Sequence, residues 1–165
     1  MAQKCSICGE SGHKKTFHLT EKKCPICKTI KTISDFYKGK KYYYSNCKTC
    51  NNQISKDFYT KTIKGKIHKI FNAAKSRSNA QNIPSDITIE FLLDLFKTQE
   101  GRCFYSGLIM TSELGQTGVS IDKKTPNIGY TKENTVLTTW LVNNMKRDLT
   151  ENRFKEMCNL ITNKL

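Results

Sequence analysis

Apolar positions between residues 51 and 81 recur at the spacing of one helix face, and lysines and an arginine occupy the other positions. The apolar face carries Ile67, Ile70, Phe71 and Ala74. This pattern predicts one long basic helix that ends before Pro84, because proline removes a backbone donor and disfavours helical geometry in the residue before it.

A second stripe of apolar residues follows in "ITIEFLLDLFKTQEG" and predicts a shorter helix. Its apolar positions are Phe91, Leu92, Leu95 and Phe96. Asp86 or Thr88 is suited to cap the start, since a short side-chain oxygen can accept from the first free N–H groups. Gly101 is expected to close the end.

Beyond residue 101 the pattern changes to short strands and then returns to helices. "RCFYSGLIM" and "GVSIDKK" predict two strands around a glycine-rich connection. "LTTWLVNNMKRD" and "LTENRFKEMCNLITN" predict two helices, the first with Trp140 and Leu141 in the core. The predicted order over residues 102–147 is therefore β-β-α.

Charge is distributed unevenly along the 165 residues, a length that suits one or two small domains. Residues 1–70 hold 16 lysines and four acids, whereas residues 71–165 hold 12 basic and 10 acidic residues. Nearly all of the net charge of +14 therefore lies in the first half. A field of one sign favours a polyanionic partner, nucleic acid above all. A solvated lysine-rich face is the alternative.

Six of the eight cysteines form three C-x-x-C pairs, which predict zinc rather than disulfides in a chain without an apolar leader. Cys24, Cys27, Cys47 and Cys50 are expected to form one four-cysteine site, with an aromatic hairpin around Gly39 between the pairs. Such a module looks like a zinc ribbon or treble clef. The tyrosines of this hairpin are explained equally well by base stacking and by packing of a very small domain.

The first C-x-x-C pair belongs to a second candidate zinc site with the spacing C-x2-C-x4-H-x4-H. Its ligands would be Cys5, Cys8, His13 and His18. The segment resembles a zinc knuckle, with His18 where the fourth ligand is usually cysteine. Alternatively, one or both histidines face solvent and the cysteine pair joins another site.

Four pieces of the C-terminal region carry a resemblance to a known family: "GRCFYSG", "SIDKK", "GYTKEN" and "VNNMKRDLT". Together they resemble the HNH, or ββα-metal, endonucleases, in particular the branch found in phage and viral genomes. The resemblance is close over residues 101–156 and loose over residues 22–165. It implies hydrolysis of DNA phosphodiester bonds with one divalent cation.

The resemblance also implies roles for individual residues. Asp122 and Asn143, 21 residues apart, match the two metal ligands, and a carboxylate and an amide oxygen suit Mg²⁺ or Mn²⁺. Asn134 matches the central asparagine that ties the loop together. Asn143 is preferred to Asn144 because it lies one helical turn before Lys146, which is expected to meet the phosphate backbone.

The familiar motif has a histidine general base directly after its aspartate, where this chain has Lys123. A lysine is mostly protonated at neutral pH, so Lys123 is better suited to hold a phosphate than to remove a proton. An arginine or lysine is also usual here in the resembling branch. The alternatives for the base are Tyr105, Tyr130, His68 or metal-bound water without a protein base.

The sequence thus predicts an α+β chain in four segments: a knuckle-like segment 1–21, a zinc ribbon or treble clef 22–53, a basic helical linker 54–100 and an HNH-like domain 101–165. Expected cofactors are structural Zn²⁺, in two sites, and catalytic Mg²⁺ or Mn²⁺. Double-stranded DNA is the expected partner, held through Lys66, Lys69, Lys75, Arg77 and Arg147.

We expect a monomer or homodimer that is soluble and intracellular, in a bacterial or virus-infected cell or its nucleus, with no membrane segment. The first alternative is a zinc-containing nucleic-acid-binding protein that has the nuclease shape without the activity. A second alternative is a zinc-stabilised protein-interaction module.

Overall fold

The computed structural model describes residues 20–40 and 42–165. The expected knuckle at Cys5, Cys8, His13 and His18 lies outside the described residues. The chain divides into two compact units, one ending at Lys56 and one beginning at Asp57. The fold combines helices with small two-stranded sheets and contains a four-cysteine cluster.

Two short hairpins and the start of a helix form the described part of the first unit. The elements are β1 (Glu21–Lys23), β2 (Ile30–Thr32), β3 (Phe36–Lys38), β4 (Tyr43–Cys47) and α1 (Lys48–Lys61). β1 pairs with β2 and β3 with β4, both antiparallel. The predicted hairpin around Gly39 is confirmed, since the Gly39 N–H donates to Tyr42 O at 2.7 Å. Cys24, Phe36 and Cys47 form the buried cluster in the described part of the first unit.

The single helix predicted over residues 51–81 is in fact two, because α1 ends at Lys61 and α2 spans Ile63–Gln81. Thr62 separates them, and its side chain accepts from the Gly65 N–H at 3.0 Å as an N-cap. A Cβ at position 65 would collide with Phe58 O, so glycine lets the end of α1 lie against the first turn of α2.

The next helix, α3 (Ile89–Thr98), forms where it was predicted. Thr88, rather than Asp86, caps it by accepting from the Phe91 N–H at 3.1 Å. Gly101 closes its end as expected: at φ +68° its N–H donates to Phe96 O at 2.9 Å. Leu92 of α3 is fully buried and belongs to the core of the second unit.

The β-β-α order is confirmed, but its strands differ from the prediction. "RCFYSGLIM" forms only an isolated bridge between Arg102 and Ile109, whereas β5 (Val119–Lys123) pairs antiparallel with β6 (Thr135–Thr139). The prediction assigned part of β6 to the following helix because Leu137 and Leu141 continue the helical apolar spacing. All five residues of β6 are buried, and its β-branched side chains suit a strand packed on both faces.

The last helices are α4 (Trp140–Lys146), which follows β6 without a loop, and α5 (Glu151–Thr162). The second unit has one buried apolar core, formed by Ile67, Ala74, Ile87, Leu92, Cys103, Met110, Val119, Ile121, Tyr130, Leu137, Val142 and Phe154. Trp140 was expected there, but half of it is exposed to solvent. Among the described residues, no helix is long and apolar enough to cross a membrane.

Candidate active site

β5 and α4 bring Asp122 and Asn143 to one place, because the helix begins where the partner strand ends. The amide Nδ2 of Asn143 donates to Ser120 Oγ at 2.7 Å and to Ile121 O at 3.1 Å. Both acceptors lie on β5, one and two residues before Asp122. The two hydrogen bonds fix which end of the amide is oxygen, so the Oδ1 atom of Asn143 is its acceptor for a ligand.

Asp122 is almost fully buried and takes part in a network of charged and polar groups. Tyr105 donates its hydroxyl to Asp122 Oδ2 at 3.1 Å. The ammonium of Lys146 lies 3.1 Å from Oδ2 and 3.3 Å from Oδ1, and it also donates to Lys123 O at 2.8 Å. The Lys146 side chain has no exposed surface, so it neutralises Asp122 rather than meeting a phosphate in solvent as expected.

The buried network changes the proton affinities of its members. Burial raises the pKa of Asp122, and the nearby charge and hydrogen bond of Lys146 oppose this rise. Burial raises the pKa of Tyr105 well above its ordinary value, and the Asp122 carboxylate adds to the effect. Tyr105 therefore keeps its proton, and its O–H group donates the hydrogen bond to Asp122. A tyrosine that keeps its proton is a poor general base.

Lys123 and Arg77 both lie against Tyr130. The ammonium of Lys123 is 5.2 Å from the Tyr130 ring centre and the Arg77 guanidinium carbon is 5.7 Å from it. Arg77 Nε also donates to the Tyr130 hydroxyl at 3.0 Å. Burial and the charge of Arg77 lower the pKa of Lys123, while Asp122 and Asp148 act to raise it.

Asn134 holds the loop between β5 and β6 through three hydrogen bonds. Its Nδ2 donates to Thr125 O at 2.9 Å and to Gly129 O at 2.8 Å, and its Oδ1 accepts from the Thr125 N–H at 2.9 Å. Gly129 adopts φ +97°, and a Cβ there would collide with Pro84 O. The side chain of Asn134 is thus used inside the loop, and any direct catalytic role for it stays a prediction.

An open cavity of about 570 Å³ joins several of the predicted site residues. Its walls include Arg77, Asp122, Lys123, Asn143 and Arg147, together with Gln81, Ser120, Ile121, Tyr130, Trp140, Asn144 and Asp148. Three cationic side chains therefore line the same cavity as the carboxylates of Asp122 and Asp148 and the amide of Asn143, and these cations suit a bound phosphate. We call this space the basic cavity.

Several residues proposed from the sequence lie elsewhere, and others were missed. Lys69 and Lys75 are exposed on α2 without lining the basic cavity, and His68 packs edge-on against Phe58 with ring centres 5.9 Å apart. Trp140 and Asp148 also line the cavity, which the sequence pattern did not predict. Their positions depend on where β6 ends, which the sequence pattern misplaced.

The oxygen donors at the cavity fit a hard divalent cation. A carboxylate has about four acceptor positions. In the described part of the chain, Tyr105 and Lys146 use three of them on Asp122, two on Oδ2 and one on Oδ1. The backbone N–H of Lys123 also donates to this carboxylate, so a bound cation would share Asp122 with these donors, and Asn143 supplies the second oxygen. Lys146 reduces the negative charge that such a cation would meet.

The four-cysteine cluster in the first unit can hold a metal ion. The sulfur atoms of Cys24, Cys27, Cys47 and Cys50 all lie within 4.8 Å of one another. Burial raises the pKa of Cys24, but backbone N–H groups, that of Cys47 first, outweigh it and lower that pKa to about 6. A hydrogen bond with Cys47 raises the pKa of Cys50 to about 12. Without a metal the cluster therefore mixes thiolate and thiol, and a bound cation would offset the repulsion of four thiolates at these distances.

Comparison with known proteins gives one similar structure. No protein-family model matches the chain, and no curated protein matches it in sequence. The solved structure is that of the rare-cutting HNH restriction endonuclease PacI, with 15% sequence identity over 87% of this chain and 94% of that chain. The TM-score of 0.44 is too low to establish a shared fold. Any activity has to be argued from the residues of the basic cavity.

Proposed function

We infer that this chain is a DNA endonuclease of the HNH type, which hydrolyses phosphodiester bonds in the basic cavity with one divalent cation. One observation carries the proposal: a carboxylate and a fixed amide oxygen lie in the same cavity as three cationic side chains. The carboxylate belongs to Asp122 and the amide to Asn143, whereas the cations are Arg77, Lys123 and Arg147.

Each group has a task that its position supports. Arg77, Lys123 and Arg147 hold the phosphate oxygens and stabilise the charge that builds up during hydrolysis. Asp122 and Asn143 would hold Mg²⁺ or Mn²⁺, which when bound neutralises charge on the phosphate and on the departing oxygen. Tyr105 and Lys146 position the Asp122 carboxylate through the hydrogen bonds described above.

Lys123 acts as a phosphate clamp in this proposal, although its pKa is lowered. A bound phosphate would raise that pKa again, because a negative charge nearby favours the ammonium form. Tyr105 is unsuited to remove a proton from water because its hydroxyl is already a donor to Asp122. His68 packs on Phe58 away from the cavity wall. Activation of water is therefore chemistry that a cation held by Asp122 and Asn143 would supply, without a dedicated histidine.

The metal in the first unit is proposed to be structural zinc. Four cysteine sulfurs within 4.8 Å suit tetrahedral coordination, which is the usual geometry of structural zinc sites. Replacing Cys47 by serine should lower the zinc that copurifies by about one ion per chain, measured by atomic absorption. Cys103→Ser, at a buried cysteine outside the cluster, is the matched control and should keep the zinc content of the wild type. An unchanged ratio of zinc to chain in Cys47→Ser would contradict the assignment.

A cleavage assay tests the nuclease proposal. Purified chain is incubated with supercoiled plasmid, linear duplex and branched DNA in Mg²⁺, Mn²⁺ or EDTA. We expect metal-dependent cleavage that falls at least about 100-fold in Asp122→Asn, because the ligand charge is lost. Asp94→Asn removes a surface carboxylate with 72% of its side chain exposed and should cleave normally. Equal rates for wild type and Asp122→Asn would exclude this cavity as the active site.

One observation favours a nucleic-acid-binding protein without cleavage as the second candidate. Lys146 already neutralises Asp122 from 3.1 Å, which weakens the attraction of this carboxylate for a cation. Such a protein would bind double-stranded DNA with strong salt dependence and cleave none of the three substrates. Monomeric or homodimeric assembly, and an intracellular site where thiols stay reduced, belong to both proposals.

A further inference from the structure

A second cavity lies beside the basic cavity, and its largest wall residue is an exposed tryptophan. The cavity has a volume of about 330 Å³, and its walls include Lys66, Ile70, Leu114, Val119 and Trp140. We call it the Trp140 groove. Its walls are mainly apolar, and the groove is open to solvent. An apolar concave surface that is exposed to solvent is typical of a ligand-binding site.

Trp140 is held in its exposed position by the backbone. Its own N–H donates to Gly118 O at 2.7 Å, and the next N–H, of Leu141, donates to Gln116 O at 3.0 Å. Thr139 caps the same turn by accepting from the Val142 N–H at 3.4 Å. Three hydrogen bonds therefore hold the start of α4 in place. The half-exposed position of the indole is therefore fixed by the fold and does not result from a frayed helix end.

The Trp140 groove and the basic cavity share two wall residues, Ser120 and Trp140. Asn143 lies on the same helix as Trp140 and supplies a proposed metal ligand. Lys66 lies on the wall of the groove and adds a cation that suits a nucleic-acid backbone. A strand whose phosphate occupies the basic cavity would therefore bring a neighbouring nucleotide to the groove.

We propose that the Trp140 groove binds one unpaired nucleobase, stacked on the indole of Trp140, next to the phosphate held in the basic cavity. The proposal rests on the nucleic-acid-binding part of the proposed function and identifies the substrate more closely. Paired bases of a regular duplex stack on one another, so only an unpaired or extruded base can offer its face to a side chain. The preferred substrate is then DNA with a bulge, a mismatch, a branch or a single-stranded segment.

The wall chemistry also indicates how selective this site is. Stacking on an aromatic ring tolerates all four bases, because each of them has a π face. Polar side chains in the wall are limited to Lys66 and Ser120 within the described residues, which is too few to read the edge of a base. The groove therefore recognises that a base is unpaired, not which base it is.

The single tryptophan of the sequence makes the test direct. Fluorescence of Trp140 is followed without added Mg²⁺ or Mn²⁺ during titration with three DNAs of equal length: a perfect duplex, the same duplex with one unpaired adenine, and a single strand. We expect quenching at saturation with the second and third DNAs and not with the first. Equal quenching by all three, or none by any, would overturn the proposal.

Two variants separate stacking from simple apolar contact. Trp140→Phe keeps an aromatic face and should retain the preference for the unpaired base, measured by fluorescence of 2-aminopurine at that position. Trp140→Leu keeps an apolar side chain and should lose roughly 5- to 100-fold of that preference. Leu160→Ala, at an exposed leucine on α5 outside both cavities, is the control. An unchanged preference in Trp140→Leu would mean that the groove contacts something else.

The outcomes also separate this proposal from the nuclease proposal. Quenching by unpaired DNA without any metal-dependent cleavage would retain the base site and reject the enzyme. Cleavage of duplex DNA without quenching would retain the enzyme and reject the base site. Quenching by an apolar peptide at similar concentrations, with no response to DNA, would assign the groove to a protein partner and overturn the proposal.

Discussion

The buried pair between Lys146 and Asp122 provides a quantitative test of how the site is held together. At 3.1 Å the two charges attract by about 5 kcal/mol at an effective dielectric constant of about 20. Desolvation of both ions offsets most of this attraction in the intact pair. Replacing Lys146 by methionine removes the attraction while Asp122 stays buried, and the hydrogen bonds from the Tyr105 hydroxyl and the Lys123 backbone N–H remain on the carboxylate.

We expect Lys146→Met to lower the free energy of unfolding of the second unit by about 3–5 kcal/mol. Asp122→Asn in the same chain should recover part of this loss, with a coupling of at least about 1 kcal/mol in a double-mutant cycle. Lys155→Met is the matched control, because Lys155 pairs with Glu151 on the exposed surface of α5. That pair should contribute at most about 0.5 kcal/mol.

The assay is urea unfolding without added Mg²⁺ or Mn²⁺, followed by the fluorescence of Trp140, which lies in the second unit. The loss of stability in Lys146→Met should depend on pH, and the direction of that dependence follows from the pKa of Asp122. Without Lys146 the pKa of Asp122 rises further, so the native state binds a proton that the unfolded state releases above about pH 4. The loss of stability in Lys146→Met should therefore be smallest near about pH 4 and increase toward about pH 8. A loss below about 1 kcal/mol, or one independent of pH, would refute the buried ion pair.

Three further predictions concern the cavity and its loop. Asn143→Ala should reduce single-turnover cleavage at least about 100-fold, whereas Asn144→Ala should stay within about threefold, and similar losses in both would reject the choice of ligand. Arg77→Gln should weaken DNA binding on every sequence and reduce the salt slope by about one, measured by titration at several salt concentrations. Gly129→Ala should lower the melting temperature more than Gly107→Ala, because both have positive φ but only position 129 meets backbone. Equal shifts in the two glycine variants would show that the loop yields at little cost.

Local pattern was sufficient to place the two proposed metal ligands on a strand and a helix. Asp122 follows Val119 and Ile121, which alternate with polar residues as in a strand, and Asn143 lies in a helical segment, so both signals come from adjacent residues. The cysteine pairs were equally readable, because each C-x-x-C spacing brings two sulfurs together and a short hairpin lies between the two pairs. These features depend on chemistry that is encoded within a few residues.

Features that depend on distant partners were not predictable in the same way. A lysine is expected at the surface, and the burial of Lys146 follows from a carboxylate 24 positions earlier in the chain. Trp140 was assigned to the core from its hydrophobicity, although the anchoring of α4 by the Gly118 carbonyl leaves it exposed. The second strand was misplaced because its apolar residues continue into a helix without a turn between them.

The side chains that build the site also cover an edge of the sheet. In an antiparallel pair, alternate residues of β5 point their backbone groups away from β6, and such unpaired edges invite another chain to add a strand. On this outer edge, Asn143 donates a hydrogen bond to the carbonyl of Ile121, and Lys146 donates one to the carbonyl of Lys123. Substitutions at these two positions should therefore also open a strand for self-association, so the proposed catalysis and the resistance to aggregation would depend on the same two hydrogen-bonding side chains.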